Sequence, residues 1–327
     1  MKLLDRRAMT VAGVLGALLA CLAVIAPGFF QLGNLRDLVI DNALVLLPAL
    51  GMTAVILCHE IDLSVGSVFG VCCVVAGTLA HAGCPMALLL VVIPLLGGLF
   101  GALNAGLVVG LGVPSMIATL ATMVAIRGAL QWITQGAWVN DLPAGFQWFG
   151  LSQAAGQSVL VLVAAGLWLA LSWMFGQVAA GRALYAVGAD ADAARLVGIR
   201  PKAVVSWAFV ALGALAGLAA LLSSARFTSI QPSAGTGMEL QVIACVVVGG
   251  TSILGGRGGL TGTLLGVALL GVIATTLIFM HVNPAWEKAI QGAIILVAML
   301  GERSHSVDRL PAERPVGGQH AQQAVAR

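Results

Sequence analysis

The sequence predicts an all-α polytopic membrane protein of about ten transmembrane helices, with both termini cytoplasmic. Three observations carry this. Of the 327 residues, 60% are hydrophobic and only 9% are charged, whereas a soluble domain of this size needs roughly 25% charged residues to cover its surface. The apolar residues lie in continuous runs of about 20, the length of a spanning helix, not in the alternating segments of about 10 that build a β-barrel. Glycine is abundant at 42 residues and aromatics are few at 6%, which suits helices that pack closely in lipid.

Apolar runs fall at 9–27, 38–58, 63–80, 86–110, 114–135 and 157–176. The first follows Lys2, Arg6 and Arg7 as a signal peptide would. At about 17 residues it is longer than a usual signal core, and no cleavage site leads into a soluble domain, so it reads as a retained helix. A polar stretch, about 177–202, comes next, and four more runs follow at 203–224, 240–254, 260–280 and 285–300. The predicted organisation is a cytoplasmic N-terminus (1–8), a transmembrane domain (9–300) interrupted by the 177–202 loop, and a polar tail (301–327). The tail is rich in Pro, Gly and Gln and is predicted to be disordered.

Charge tests the count. Ten crossings place the N-terminus, the 177–202 loop, the turn with Arg257 and the tail on one side. That side then holds Lys2, Arg6, Arg7, Arg182, Arg195, Arg200, Lys202, Arg257, Arg303, Arg309, Arg314 and Arg327, twelve of the sixteen basic residues. The positive-inside rule makes it the cytoplasmic side. The opposite side has only short loops, the longest at 136–156, too short for a binding domain of its own.

Several functions are excluded or unsupported. A net charge of +3 with no basic stripe gives no nucleic-acid partner. No Cys-x-x-Cys occurs among the six cysteines, so neither a zinc site nor a redox pair is indicated; the five that sit in apolar runs read as small buried hydrophobes. No phosphate-binding loop of the GxxxxGK[ST] type is present, and His59-Glu60 lacks the second histidine of a zinc-protease helix. GxSxG is absent too. Nothing implies a cofactor. Asp41 and Arg127 are the plausible charges inside spans, and both also suit helix ends whose side chains snorkel to the interface.

Three segments remain. His59-Glu60-Ile61-Asp62-Leu63-Ser64-Val65-Gly66-Ser67 interrupts two apolar runs. Asp62 is placed to cap the following helix. A broken helix here would offer its amides to a polar solute, although the same residues suit a tight turn between spans. The loop 181–199 contains Asp190 as a cap, Gly198 as a stop and Pro201 beyond it. Between them lies a helix of about two turns, too short to stand without a partner surface; an idle loop is the plainer reading. The third segment runs through Glu239, Gly249-Gly250 and the glycines around Arg257, with Gly258, Gly262 and Gly266 marking a close-packing face. Residues 97–103 and 258–264 share the pattern GGLxGxL, a hint of two related halves.

Together these segments resemble the membrane-permease subunits of ABC importers for ribose, rhamnose, related sugars and autoinducer-2. The match runs through Ile61–Ser67, Gly181–Ile199, Gly235–Gly258, and Asn104–Gly128, covering roughly residues 10–300 in order. Glu60 stands where that family usually has Gly or Asn. The resemblance implies a multi-pass protein of the bacterial inner membrane that transports without being an enzyme. It implies a second permease, identical or paired, an ATP-binding subunit docked on the cytoplasmic loop, and a periplasmic binding protein that delivers a small sugar-like solute. The implied docking residues are Ala189, Asp190, Ala193, Ala194, Arg195 and Gly198. The implied path residues are Asp62, Ser64, Ser67, Asn104 and Glu239. A secondary carrier or passive channel is the alternative, and it would move solute without ATP or partners.

Overall fold

The computed structural model describes residues 6–280 and, beyond them, positions 286, 288–290, 292, 293 and 296. Most of the predicted run at 285–300, the tail 301–327 and positions 1–5 lie outside the described residues. The described chain is helical: α1 (Arg6–Ile25), α2 (Leu32–Leu57), α3 (Val65–His81), α4 (Met86–Ala105), α5 (Ser115–Thr134), α6 (Gln153–Gln177), α7 (Ala179–Ala189), α8 (Ala191–Leu196), α9 (Pro201–Ser224), α10 (Met238–Val248) and α11 (Leu260–Phe279). A turn of wider π-type helix, Gly106–Gly110, extends α4. Among the described residues, extended pairing is limited to one bridge between Val139 and Ile230.

Among the described residues, seven helices are long and apolar enough to cross a membrane: α1, α2, α4, α5, α6, α9 and α11. Two predicted spans are shorter than expected. The run at 63–80 becomes the 17-residue α3. The run at 240–254 becomes the 11-residue α10, which rises about 16 Å, half the roughly 30 Å of a hydrocarbon core. Hydropathy continues past Val248, but the chain stops being helical at Gly249-Gly250, where Gly249 lies against the backbone of Gly262.

The centre of the bundle is α2. From Leu46 to Leu57 every residue is buried, as befits a helix apolar on all sides. It packs on α9, α11, α6 and α10. Close approach explains much of the glycine. On the α4–α9 contact, a Cβ on Gly217 would lie 2.6 Å from the Ile93 carbonyl oxygen, and Gly97, Gly101 and Gly213 meet the opposite backbone too. Two of the three glycines predicted as a close-packing face lie on α11: Gly262 abuts Gly249, just past α10, and Gly266 abuts Cys245 of α10, whereas Gly258 precedes α11 and lies on Thr251. Most buried polar groups in this core are paired, as burial requires, with Gln157 Oε1 and Thr251 Oγ1 as exceptions among the described residues; the Thr53 and Thr263 hydroxyls share a 2.7 Å hydrogen bond between α2 and α11. Cys72 and Cys73 face opposite ways, toward the carbonyls of Ile93 and Ala220.

The bundle has two distinct ends. At one, the Gly256 N–H donates to the Leu57 carbonyl at 2.9 Å, and Ala8, Gln177, Tyr185 and Gly258 border one cavity. The start of α1, the 177–202 segment and the loop after α10 therefore meet there. At the other end, Trp148 N–H donates to the Ala225 carbonyl at 2.7 Å and Phe29 meets Phe279 edge-on at 6.3 Å. The structure also adds a helix that the sequence reading omits: residues 179–189 form α7, ahead of the expected short helix α8.

Candidate functional site

Between α2 and α3 the chain leaves helical geometry for residues 58–64. His59 takes a left-handed conformation, φ 67°, which turns the chain away from α2. The freed backbone needs partners in an apolar interior, and α5 supplies them. Ser115 Oγ accepts from Ile61 N–H at 3.3 Å, and Thr119 Oγ1 accepts from Leu63 N–H at 3.1 Å. Asp62 does not cap the first turn of α3. Its Oδ1 takes the N–H and hydroxyl of Ser64 at 2.8 and 2.7 Å, and its Oδ2 takes Asn104 Nδ2 at 3.1 Å. The same Asn104 nitrogen reaches Ser64 Oγ at 2.7 Å, and Thr122 Oγ1 donates to Asn104 Oδ1 at 2.8 Å. The result is a buried network tying the interruption to α4 and α5.

Of the five expected path residues, the structure brings Asp62, Ser64 and Asn104 into this network. Ser67 lies beside it, donating to the Ser64 carbonyl at 2.7 Å. Glu239 lies in the first turn of α10, with Oε2 buried against Gly66 and lacking a hydrogen-bond partner among the described residues. None of the five lines either of the two cavities described next.

One cavity, about 450 Å³, lies at the end of the bundle opposite α7–α8 and is bordered by Asp41, Phe69, Arg226, Phe227, Gln241 and Lys288. Asp41 and Arg226 pair across it at 2.7 Å, and the Arg226 guanidinium lies 5.5 Å from the Phe227 ring centre. The N-terminus of α10 opens on it through Gly237 and Met238. Charged hydrogen-bonding groups beside apolar ring faces suit a polar, hydroxyl-bearing solute. The loop forming its floor is fastened by Arg127, which donates to Gly235 O at 3.4 Å and to the Thr236 hydroxyl. The two in-span charges singled out by sequence thus have partners that sequence could not supply.

The second cavity, about 750 Å³, lies at the other end, between Cys58–Glu60, the end of the π-type turn and the segment from Val187 to Ala191. The expected docking residues begin in this segment, at Ala189 and Asp190, and continue through α8 to Gly198. Asp190 caps α8, its Oδ1 accepting from Asp192 and Ala193 N–H at 2.9 Å each. Gly198 ends the turn with φ 85°. Ala189, Asp190, Ala193, Arg195 and Gly198 are exposed, whereas Ala194 is buried against the protein. Two further residues present themselves: Leu196 is 89% exposed and Val197 76%. An apolar pair so placed on a polar loop needs a covering surface. Its sequence signal was a Leu-Val pair at the end of a charged helix.

The element is also fixed to the interior. Gly188, at the end of α7, lies directly on the Leu57 carbonyl, which also receives the Gly256 N–H. Leu57 is the last residue of α2 before the interruption. The end of α7 thus lies within a few residues of the segment that contains Asp62.

Comparison with known proteins identifies the family. The family described as branched-chain amino acid transport system / permease component matches residues 34–299. The ribose import permease protein RbsC of Escherichia coli K12 is 34% identical over 290 residues, covering 86% of this chain and 89% of that protein. The autoinducer 2 import system permease protein LsrC of Yersinia pseudotuberculosis is 33% identical over 279 residues, covering 85% and 80%. LsrC of Escherichia coli O9:H4 is 36% identical over 296 residues, covering 87% and 85%. No solved structure gives a significant match.

Proposed function

Because the chain belongs to this permease-component family and so is a transmembrane subunit of an ABC transporter, we propose that it forms the path for a sugar or sugar-like solute of the rhamnose, autoinducer-2 or ribose type. It is a multi-pass protein of the bacterial inner membrane and not itself an enzyme; ATP is hydrolysed by a partner chain. The proposed arrangement has ten crossings with both termini cytoplasmic, a second permease, an ATP-binding subunit and a periplasmic solute-binding protein.

In this arrangement the periplasmic partner releases solute into the 450 Å³ cavity, where Asp41, Arg226 and Gln241 meet hydroxyls and Phe69 and Phe227 meet ring faces. Glu239, Ser67, Ser64, Asp62 and Asn104 lie further along the way, closed in this state. The ATP-binding subunit covers Leu196 and Val197 together with Ala189, Asp190, Ala193, Arg195 and Gly198, while Ala194 anchors α8 from behind. The observation that carries the reading is the joint at Leu57, where the docking element and the interrupted α2–α3 segment share one carbonyl.

The solute class is tested by isolating the intact complex and identifying what its binding protein holds. A sugar or sugar-like molecule is expected. A branched-chain amino acid would contradict this assignment.

A further inference from the structure

A slot of about 510 Å³ runs between α6 and α9. Both helices pack on α2, which floors the slot at Leu50, Gly51 and Ala54. Along α9 it is bordered by Arg200, Ala203, Trp207, Ala211 and Leu215. These residues are three or four apart, so the slot follows one face of that helix. Ala203, Trp207 and Ala211 are exposed, which leaves the slot open on the lipid side. From Arg200 to Leu215 the helix rises about 22 Å. One leaflet of the hydrocarbon core is about 15 Å thick. The slot thus begins at headgroup level and ends beyond the bilayer midplane, the reach of a single acyl chain.

Its chemistry is asymmetric in the same direction. Arg200 is the one charged residue on its border and sits at the α7–α8 end; every other border residue is apolar or glycine. That end also carries Arg182, Arg195 and Lys202, so the adjoining leaflet is the one whose anionic headgroups a basic protein face attracts. The slot meets the proposed docking surface only at Gly198, beside its cytoplasmic mouth; the rest of it is used neither by the importer reading nor by the docking of an ATP-binding subunit.

We propose that the slot binds one anionic phospholipid, with an acyl chain along α9 and the phosphate at Arg200. A bound chain fills the gap between α6 and α9, and so braces α2 from the membrane side just above the Leu57 joint.

The test uses the purified full chain in mild detergent, with phosphatidylglycerol or phosphatidylcholine added and retained lipid counted by native mass spectrometry. Wild type should hold one phosphatidylglycerol in preference to phosphatidylcholine. Arg200→Gln, an exposed change that spares the fold, should cut that preference about fivefold, the scale of one basic residue near an anionic headgroup. Ala211→Trp, which fills the slot from its exposed wall, should retain neither lipid. Equal retention by all three proteins overturns the proposal. So does a disulfide between two copies carrying Ala211→Cys in native membranes, because the slot would then be covered by a second subunit.

Discussion

At the residue scale, the polar groups of the α2–α3 interruption are held by one another. Asn104 is central: it binds Asp62 and Ser64 through Nδ2 and Thr122 through Oδ1. Asn104→Leu would take the donor from a buried carboxylate oxygen of Asp62 and from the Ser64 hydroxyl, while Thr122 keeps its bond to the Thr119 carbonyl, a loss of about 3 kcal/mol. The expected readout is a clear drop in unfolding temperature in detergent, and an unchanged temperature would mean that water replaces the amide. Glu239 is the opposite case. Its Oε2 has no partner within the described residues, so Glu239→Gln should leave unfolding unchanged. If Glu239 lies on the solute path, uptake by the complex should fall several-fold. Full uptake would remove it from the path. Sequence identified these residues by type, as polar side chains inside apolar runs. It could not show that Asp62 and Asn104 meet, because 42 positions separate them and only the packing of α4 against the interruption brings them together.

At the element scale, α8 was legible and α7 was not. The Asp190 cap, Gly198 and Pro201 bracket α8 in the sequence as they do in the structure. The eleven residues of α7 include Gly181 and Gly188, and glycine lowers helix propensity by about 1 kcal/mol, so the segment reads as loop. Both glycines are there for contact: Gly181 lies on the backbone of Met174 and Phe175, Gly188 on that of Leu57. Likewise α10 looks longer in hydropathy than it is, because backbone contact with α11 ends it. Two predictions follow from these contacts. Leu196→Asp, a change at an exposed position, should weaken association with the ATP-binding subunit at least tenfold in a pull-down while leaving the chain folded; undiminished association would place docking elsewhere. Gly188→Ala forces the α7 end off the Leu57 carbonyl, and should leave the complex assembled and hydrolysing ATP but with transport several-fold lower per ATP. Ala194→Glu is the less informative change, since Ala194 is buried and its replacement disrupts α8 itself.

At the scale of the whole molecule, the membrane class was legible from composition, and among the described residues seven of the ten predicted runs are helices long and apolar enough to cross a membrane. The two short helices α3 and α10 depart from that pattern because each begins where the chain dips into the bundle: α3 after the interruption, α10 after the loop held by Arg127. Orientation is a proposal resting on basic residues at one end. In a background lacking Cys21 and Cys84, a membrane-impermeant thiol reagent applied to intact cells should label Gly145→Cys and should reach Ala193→Cys only after permeabilisation. The reverse pattern would invert the assigned topology. The account stands most directly on one measurement: uptake of the labelled solute that its binding protein holds into proteoliposomes containing the chain, its ATP-binding subunit and its solute-binding protein. Uptake should require ATP and all three components, and Leu196→Asp should abolish it. Equal uptake by the chain alone, without ATP, would contradict the account and make the protein a carrier or channel in its own right.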